Sequence, residues 1–122
     1  MANPFCHVEL NANDPAAALD FYSRLFDWKI DSVPISGVPG GVYHMIAVGD
    51  GTGGGIMKNP MENGPSWWLS YVLVDDLPSS TRKARELGAK IIVDNQAAGD
   101  YGWLSIIEDP QGAVLGLWKA NG

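Results

Sequence analysis

Apolar and polar residues alternate along several short segments of the chain, which is the pattern of strands with one buried face. In the first segment, residues 5–10, His7 and Glu9 fall on the same side, opposite the apolar positions. Asp14 and Pro15 follow this segment. Because Asp is a favoured N-cap and Pro is favoured in the first helical turn, a helix should begin there.

This first helix is expected to have an apolar face at helical spacing. The members of that face are Ala18, Phe21, Tyr22, Leu25 and Phe26. Three further strands should follow at residues 28–30, 43–48 and 54–57. The intervening segments predict a loop rich in Gly and Pro over residues 34–41 and a hairpin turn over residues 49–53.

The same order of elements returns after a linker rich in Asn, Pro and Gly. Asp75-Asp76 and Ser79-Ser80 offer caps for a second helix, for which Ala84 and Leu87 predict a short apolar face. Gly88 is suited to end that helix. Strands are expected at residues 67–74, 89–93, 103–107 and 113–118, with turns at residues 99–100 and 109–112.

The repeat predicts one α+β domain over residues 1–122, built from two βαβββ modules that form curved mixed sheets around a cleft. Module one covers about residues 4–58, the linker about 59–65 and module two about 66–119. The pattern alone leaves a ferredoxin-like arrangement open as an alternative.

Charge and composition limit the kinds of molecule that the chain is expected to bind and the compartment in which it is expected to work. The net charge of −6 and the pI near 4.6 argue against nucleic-acid binding, which needs a basic surface. No apolar stretch approaches the roughly 20 residues of a membrane helix, and the first residues lack the features of a secretion signal. With Cys6 as the single cysteine, no disulfide can form within the chain, so we expect a cytoplasmic protein.

Several motifs, in order along the chain, point to a known superfamily. In the first half they are His7 seven residues before Asp14, then Phe21-Tyr22 and Leu25-Phe26-x-Trp28. In the second half they are Tyr71-x-x-Val74-x-Asp76, Ala84-x-x-Leu87-Gly88-Ala89 and Asp109-Pro110-Gln111-Gly112-Ala113. Over nearly its whole length the chain resembles the vicinal oxygen chelate superfamily of glyoxalases, bleomycin-resistance proteins and extradiol dioxygenases.

The resemblance implies two βαβββ modules and a cleft that is often completed across a homodimer. Many members of this superfamily hold one divalent metal through a His and a Glu from each module, and the metal polarises a substrate oxygen. Other members hold no metal and bind a drug.

The ligand positions implied by the resemblance are mostly lost. His7 fills the first position, but the corresponding residue of the second module is Leu69. The two carboxylate positions fall at Gly116 and at Gly55, or at Ile56 if the turn is one residue out. His7 alone matches a ligand, whereas metal sites use three or four protein ligands, so we predict no metal cofactor. The alternative is one divalent metal bound by His7, Glu9 and His44.

We therefore expect a glyoxalase-like homodimer that binds a small, partly aromatic molecule in a metal-free cleft. A one-residue error in the register of the first strand of module two would turn Trp67, Leu69 and Tyr71 away from the cleft. The expected ligand-binding residues are His7, Glu9, Trp67, Leu69, Tyr71 and Trp103. The alternative is an enzyme of the glyoxalase, dioxygenase or resistance-transferase type, in which His7 acts through a non-standard metal site, or His7 or Glu9 acts as general base. A purely structural role is the third possibility.

Overall fold

A computed structural model describes residues 2–35, 39–61 and 63–121. In these ranges the chain forms eight strands and two α-helices in the predicted βαβββ order, repeated once. The first half holds β1 (Phe5–Ala12), α1 (Pro15–Leu25), β2 (Lys29–Pro34), β3 (Val42–Ala47) and β4 (Gly54–Lys58). The second half holds β5 (Trp67–Leu73), α2 (Leu77–Glu86), β6 (Lys90–Ala98), β7 (Gly102–Glu108) and β8 (Val114–Ala120).

The structure divides into two compact bodies. The first body is residues 7–69, and the second is residues 1–6 together with 70–122. Within the described ranges, neither helix is long and apolar enough to cross a membrane.

In the first body the strands lie in the order β2-β3-β4-β1, with β4 antiparallel to β3 and parallel to β1. Helix α1 begins as predicted, because the Asp14 carboxylate accepts a hydrogen bond from the backbone N–H of Ala17 at 3.1 Å. The core cluster of this body is Leu10, Ala12, Ile46 and Ile56, and Ala18, Leu19 and Tyr22 of α1 pack against it.

The predicted apolar face of α1 is only partly correct. Ala18 and Tyr22 pack on the core, but Phe21 and Leu25 are 57% and 56% exposed, and Phe26 just after the helix is 45% exposed. The apolar arc of α1 is wider than the stripe that the sheet covers, so its outer part is left at the surface.

The loop predicted over residues 34–41 is shorter in the structure, because Pro34 ends β2 and residues 39–41 form a 3-10 turn. Residues 36–38 of that loop lie outside the described residues. The turn predicted at residues 49–53 is present, with Gly49 and Gly51 at φ values of 95° and 109° that favour glycine.

The second body has the equivalent order β5-β8-β7-β6, with β8 parallel to β5. The Asp76 carboxylate caps α2 by accepting from the backbone N–H of Ser79 at 3.0 Å. The predicted apolar face of α2 is only partly correct, because Ala84 is half-buried but Leu87 is 71% exposed, and the buried residues are Leu77 and Thr81. Leu77 packs in the core cluster of this body.

Strand β6 runs five residues beyond its predicted end and carries two irregularities in its pairing with β7. At the second, Asn95 has a φ of 49° and donates its backbone N–H to the hydroxyl of Ser105 at 3.0 Å. Ser105 also bonds Thr81 of α2 at 2.8 Å, so two buried hydroxyls tie the bulge to the helix.

The linker region is bound to the rest of the first body by Asn59, which is 5% exposed. Its side-chain amide donates to the carbonyl of Pro65 at 3.1 Å and to the side-chain oxygen of Asn13 at 2.9 Å. Asn59 therefore hydrogen-bonds both to the segment that precedes β5 and to the segment that follows β1.

Candidate functional site

Strand β1 presents His7, Glu9 and Asn11 on one face, because alternate residues of a strand point the same way. Strand β4 lies between β1 and β3, and Tyr43 at the start of β3 reaches both His7 and Glu9. All four residues belong to the first body. We call His7, Tyr43 and Glu9 the polar triad.

The triad is held by two short hydrogen bonds. The Tyr43 hydroxyl donates to Oε1 of Glu9 at 2.9 Å, and Nε2 of His7 lies 2.7 Å from the same hydroxyl oxygen. The rings of His7 and Tyr43 are stacked with their centroids 6.1 Å apart. Tyr43 and Glu9 are each 8% exposed, so the bonds are made largely out of water and are stronger than at the surface.

Burial lowers the pKa of His7 below its ordinary value, so the imidazole is neutral at physiological pH. A tyrosine hydroxyl has one proton, and in this geometry Tyr43 uses it to donate a hydrogen bond to Glu9. The hydroxyl oxygen must then accept from His7, which places the imidazole proton on Nε2. The triad is thus a chain of donors and acceptors along which one proton can shift.

Tyr43 also occupies the space beside Gly55. In the register between β1 and β4, Gly55 lies opposite Glu9. A Cβ atom on Gly55 would meet Cε2, Cζ and Oη of Tyr43 at less than the 3.0 Å that real Cβ atoms keep. The ring is buried and hydrogen-bonded, so it cannot move aside cheaply.

The second body repeats this arrangement with different partners. Gly116 lies opposite Tyr71 in the register between β5 and β8. A Cβ atom on Gly116 would overlap Cδ1 and Cε1 of the Tyr71 ring. Tyr71 is 3% exposed and makes an edge-to-face contact with Trp118, with ring centroids 6.3 Å apart.

Asn11 is the remaining polar residue on this face of β1. It is 2% exposed, and its side-chain nitrogen Nδ2 has no hydrogen-bond partner among residues 2–35, 39–61 and 63–121. Leaving a buried donor unmatched costs about 1–3 kcal/mol, and nearly all such groups in proteins find a partner.

The structure unites only part of the predicted ligand-binding set. Through Tyr43 it brings His7 and Glu9 together, in the body that also contains Trp67 and Leu69. Leu69 is 1% exposed, and the Trp67 indole N–H donates to Asn59 at 3.4 Å.

The other two predicted ligand-binding residues belong to the second body. Tyr71 is packed on Gly116 as described, and Trp103 is 46% exposed.

Sequence reasoning missed Tyr43 and Asn11. Asn11 shares the strand face of His7 and Glu9, so the period of two was a usable signal. No local signal marks Tyr43, because its position beside Glu9 depends on the pairing of β3 with β4 and of β4 with β1.

Comparison with known proteins supplies the classification. The family model described as "Glyoxalase/Bleomycin resistance protein/Dioxygenase superfamily" matches residues 5–117. The chain belongs to this superfamily. The expected fold is therefore confirmed, as are its two βαβββ modules.

Curated members of the superfamily resemble the chain over most of its length. "Putative glyoxylase CFP32" of Mycobacterium tuberculosis is 37% identical over 117 residues, covering 93% of this chain and 44% of the relative. "Anthracycline biosynthesis protein DnrV" of Streptomyces peucetius is 24% identical, covering 91% of this chain and 45% of the relative. The chain spans about half the length of the curated relatives it matches.

Solved structures support the fold. Hypothetical protein BH1468 from Bacillus halodurans C-125 matches with a TM-score of 0.73 at 13% identity, covering 100% of this chain and 97% of that one. Methylmalonyl-CoA epimerase from Mycobacterium tuberculosis matches with a TM-score of 0.71 at 15% identity, covering 97% and 88%.

The superfamily's metal site does not fit the residues present in this member. Gly55 and Gly116 have no ligating side chain, and the rings of Tyr43 and Tyr71 fill the volume into which a carboxylate would project. His44 neighbours Tyr43 on β3 and so faces the other way, and its Nδ1 is bonded to the hydroxyl of Ser32 at 2.7 Å. Across residues 2–35, 39–61 and 63–121, no three His, Cys, Asp or Glu side chains cluster as metal ligands would.

Proposed function

We propose that this superfamily member binds a small, partly aromatic organic molecule at the polar triad, without a metal at the superfamily's ligand positions. The observation that carries this proposal is the position of the Tyr43 ring. It fills the space beside Gly55, and its hydroxyl is hydrogen-bonded to both His7 and Glu9, so the three side chains form one polar group.

The chemistry of the triad suits an organic ligand with a hydroxyl or amine group. Small-molecule sites combine apolar surroundings with a few fixed polar groups that orient the ligand. Here His7 is half-buried and neutral, and Glu9 and Tyr43 are held in fixed positions. One relative is named for anthracycline biosynthesis, which favours a flat aromatic scaffold as the first probe.

The test combines metal analysis with ligand binding. Mass spectrometry of the purified protein, before and after dialysis against a chelator, should find no metal near one ion per chain. Quenching of tryptophan fluorescence should then show binding of 2-hydroxyanthraquinone. Tyr43→Phe, which removes the hydroxyl that joins the triad, should weaken binding about tenfold because a buried polar pair loses its partner.

Tyr101→Phe is the matched control, because Tyr101 is 51% exposed and loses the same atom. Stoichiometric metal that survives the chelator, or equal affinities for the Tyr43 and Tyr101 variants, would contradict the proposal.

A second candidate is an enzyme in which His7 acts as general base. The specific observation in its favour is the hydrogen-bonded chain from neutral His7 through Tyr43 to Glu9, which can pass a proton along. The alternative of a catalytic metal bound to His7 would need donors beyond those that the described residues bring together.

This candidate has a direct assay. Methylmalonyl-CoA, the substrate class named for several structural neighbours, would be incubated with the protein in D2O. The carbon-bound hydrogen that lies between the two carbonyl groups should then exchange for deuterium. Loss of this exchange in His7→Gln, with its retention in His44→Gln, would establish proton abstraction by His7. No exchange with the wild-type protein would remove this candidate for that substrate.

For the assembly, we favour a homodimer. At the surface of the first body, Tyr22 contacts both Phe21 and Trp68, which are 57% and 41% exposed. Light scattering should give twice the mass of one chain, and Phe21→Ser should lower it.

A cytoplasmic location fits this function. The single cysteine, Cys6, needs no oxidising compartment, and its half-buried thiol has a raised pKa because of burial.

A further inference from the structure

Asn11 extends the row of polar side chains on β1 beyond the triad. His7 and Glu9 both have hydrogen bonds to Tyr43, whereas Nδ2 of Asn11 has no partner in the part of the chain that the structure describes, although the residue is 2% exposed. A buried donor that finds no acceptor among the described residues indicates that its acceptor comes from outside the chain.

The fold itself gives no reason for an amide at this position. The two helix caps, Asp14 and Asp76, are separated by 62 residues, and the same offset places Leu73 at the counterpart of Asn11. In the register between β1 and β4, Asn11 lies opposite Met57, which is apolar and buried. An aliphatic residue would therefore suit the packing, and the amide is kept at a cost in stability.

We propose that Asn11 determines ligand specificity by donating a hydrogen bond from Nδ2 to an acceptor oxygen, such as a carbonyl, on the bound molecule. This inference rests on the proposed function, since it assigns the ligand's second polar contact. Successive positions on one strand face are about 7 Å apart, so the ligand carries a donor group for the triad and a carbonyl roughly that distance away. Flat hydroxy-ketones and hydroxyquinones have this form.

The test uses two probes that differ only in the acceptor. 2-Hydroxyanthraquinone and 2-hydroxyanthracene share the three rings and the hydroxyl, but only the first has carbonyl oxygens. The wild-type protein should bind the quinone about five- to tenfold more tightly, which is the usual value of one added hydrogen bond. Asn11→Leu should lose this preference, so that the quinone no longer binds more tightly than 2-hydroxyanthracene.

The ligand-free variant supplies a second readout. Because Asn11→Leu replaces an unmatched donor with the residue type found at the counterpart position, its melting temperature should equal or exceed that of the wild type. A purely structural amide would give the opposite result. Asn11→Ala, which removes the same donor without adding volume, should show the same loss of preference for the quinone.

Each outcome is decisive. If the wild-type protein binds both probes and Asn11→Leu changes neither affinity, the role of Asn11 is refuted while the proposed function stands. A lowered melting temperature with an unchanged preference would show that the amide has a structural role, and would also refute it. If the wild-type protein binds neither probe, the proposed function fails, and the role of Asn11 fails with it.

Discussion

Replacement of Gly55 by alanine tests the central packing feature of the site. The new Cβ atom would overlap Cε2, Cζ and Oη at the far end of the Tyr43 ring. Forcing an atom into a packed region costs about 1–3 kcal/mol, and loss of the Tyr43 hydrogen bond to the Glu9 carboxyl group costs about 1.5–3 kcal/mol more. We therefore expect Gly55→Ala to lower the free energy of unfolding by about 3–5 kcal/mol.

A double-mutant cycle shows whether the overlap is the cause. Tyr43→Leu removes the three overlapping atoms and should itself cost about 3–4 kcal/mol, through the lost hydrogen bonds and the buried ring. With that space empty, adding Gly55→Ala should cost almost nothing further. The two changes should therefore show a coupling of about 3–5 kcal/mol, the whole cost of Gly55→Ala in the wild-type background.

Urea denaturation followed by circular dichroism measures these differences, provided that the slope with urea is the same in all variants. Gly64→Ala is the matched control, because its Cβ would meet its nearest neighbour, Cβ of Met61, at an ordinary 3.9 Å. A Gly55→Ala variant within about 1 kcal/mol of the wild type, or additive costs in the double mutant, would refute the assignment of this contact.

Three further predictions concern the rest of the molecule. In urea titration, Gly116→Ala should destabilise the protein as strongly as Gly55→Ala. Tyr71→Leu should not restore the stability of Gly116→Ala, because the added Cβ atom overlaps Cδ1 and Cγ near the base of the tyrosine ring. Burial lowers the pKa of His7, so below about pH 6.5 the unfolded chain takes up a proton that the folded chain resists. Thermal stability should fall as the pH drops through that range, and it should fall less in His7→Gln; equal pH profiles for the wild type and His7→Gln would contradict this. Thr81→Val should lower the free energy of unfolding, measured in urea, by about 2 kcal/mol, because it leaves the buried hydroxyl of Ser105 without one of its hydrogen bonds.

The order of the elements could be predicted because its signals are local. Asp14 and Asp76 both cap helices, and the Asp109–Gly112 segment forms the expected turn, with a 2.9 Å bond between its ends. The internal repeat then supplied the module plan, because the same signals recur 62 residues apart.

The features that escaped prediction depend on contacts between distant residues. Periodicity shows that α1 has an apolar arc, but the position of the sheet decides that Phe21 and Leu25 remain exposed. The length of β6 was underestimated because its bulge at Asn95 interrupts the alternation on which strand prediction relies. Tyr43 lies beside Glu9 only because β3 pairs with β4 and β4 pairs with β1, and this pairing cannot be inferred from the sequence pattern.

The interlocking of tyrosine and glycine in each body also limits how this chain can evolve. A glutamate at position 55 or 116 would re-create a carboxylate ligand position, but either substitution alone would collide with the buried ring of Tyr43 or Tyr71. Emptying the ring position first would pass through a destabilised protein that has gained no ligand. A metal-binding descendant therefore requires paired substitutions in both modules, because each single substitution destabilises the protein before any ligand is gained.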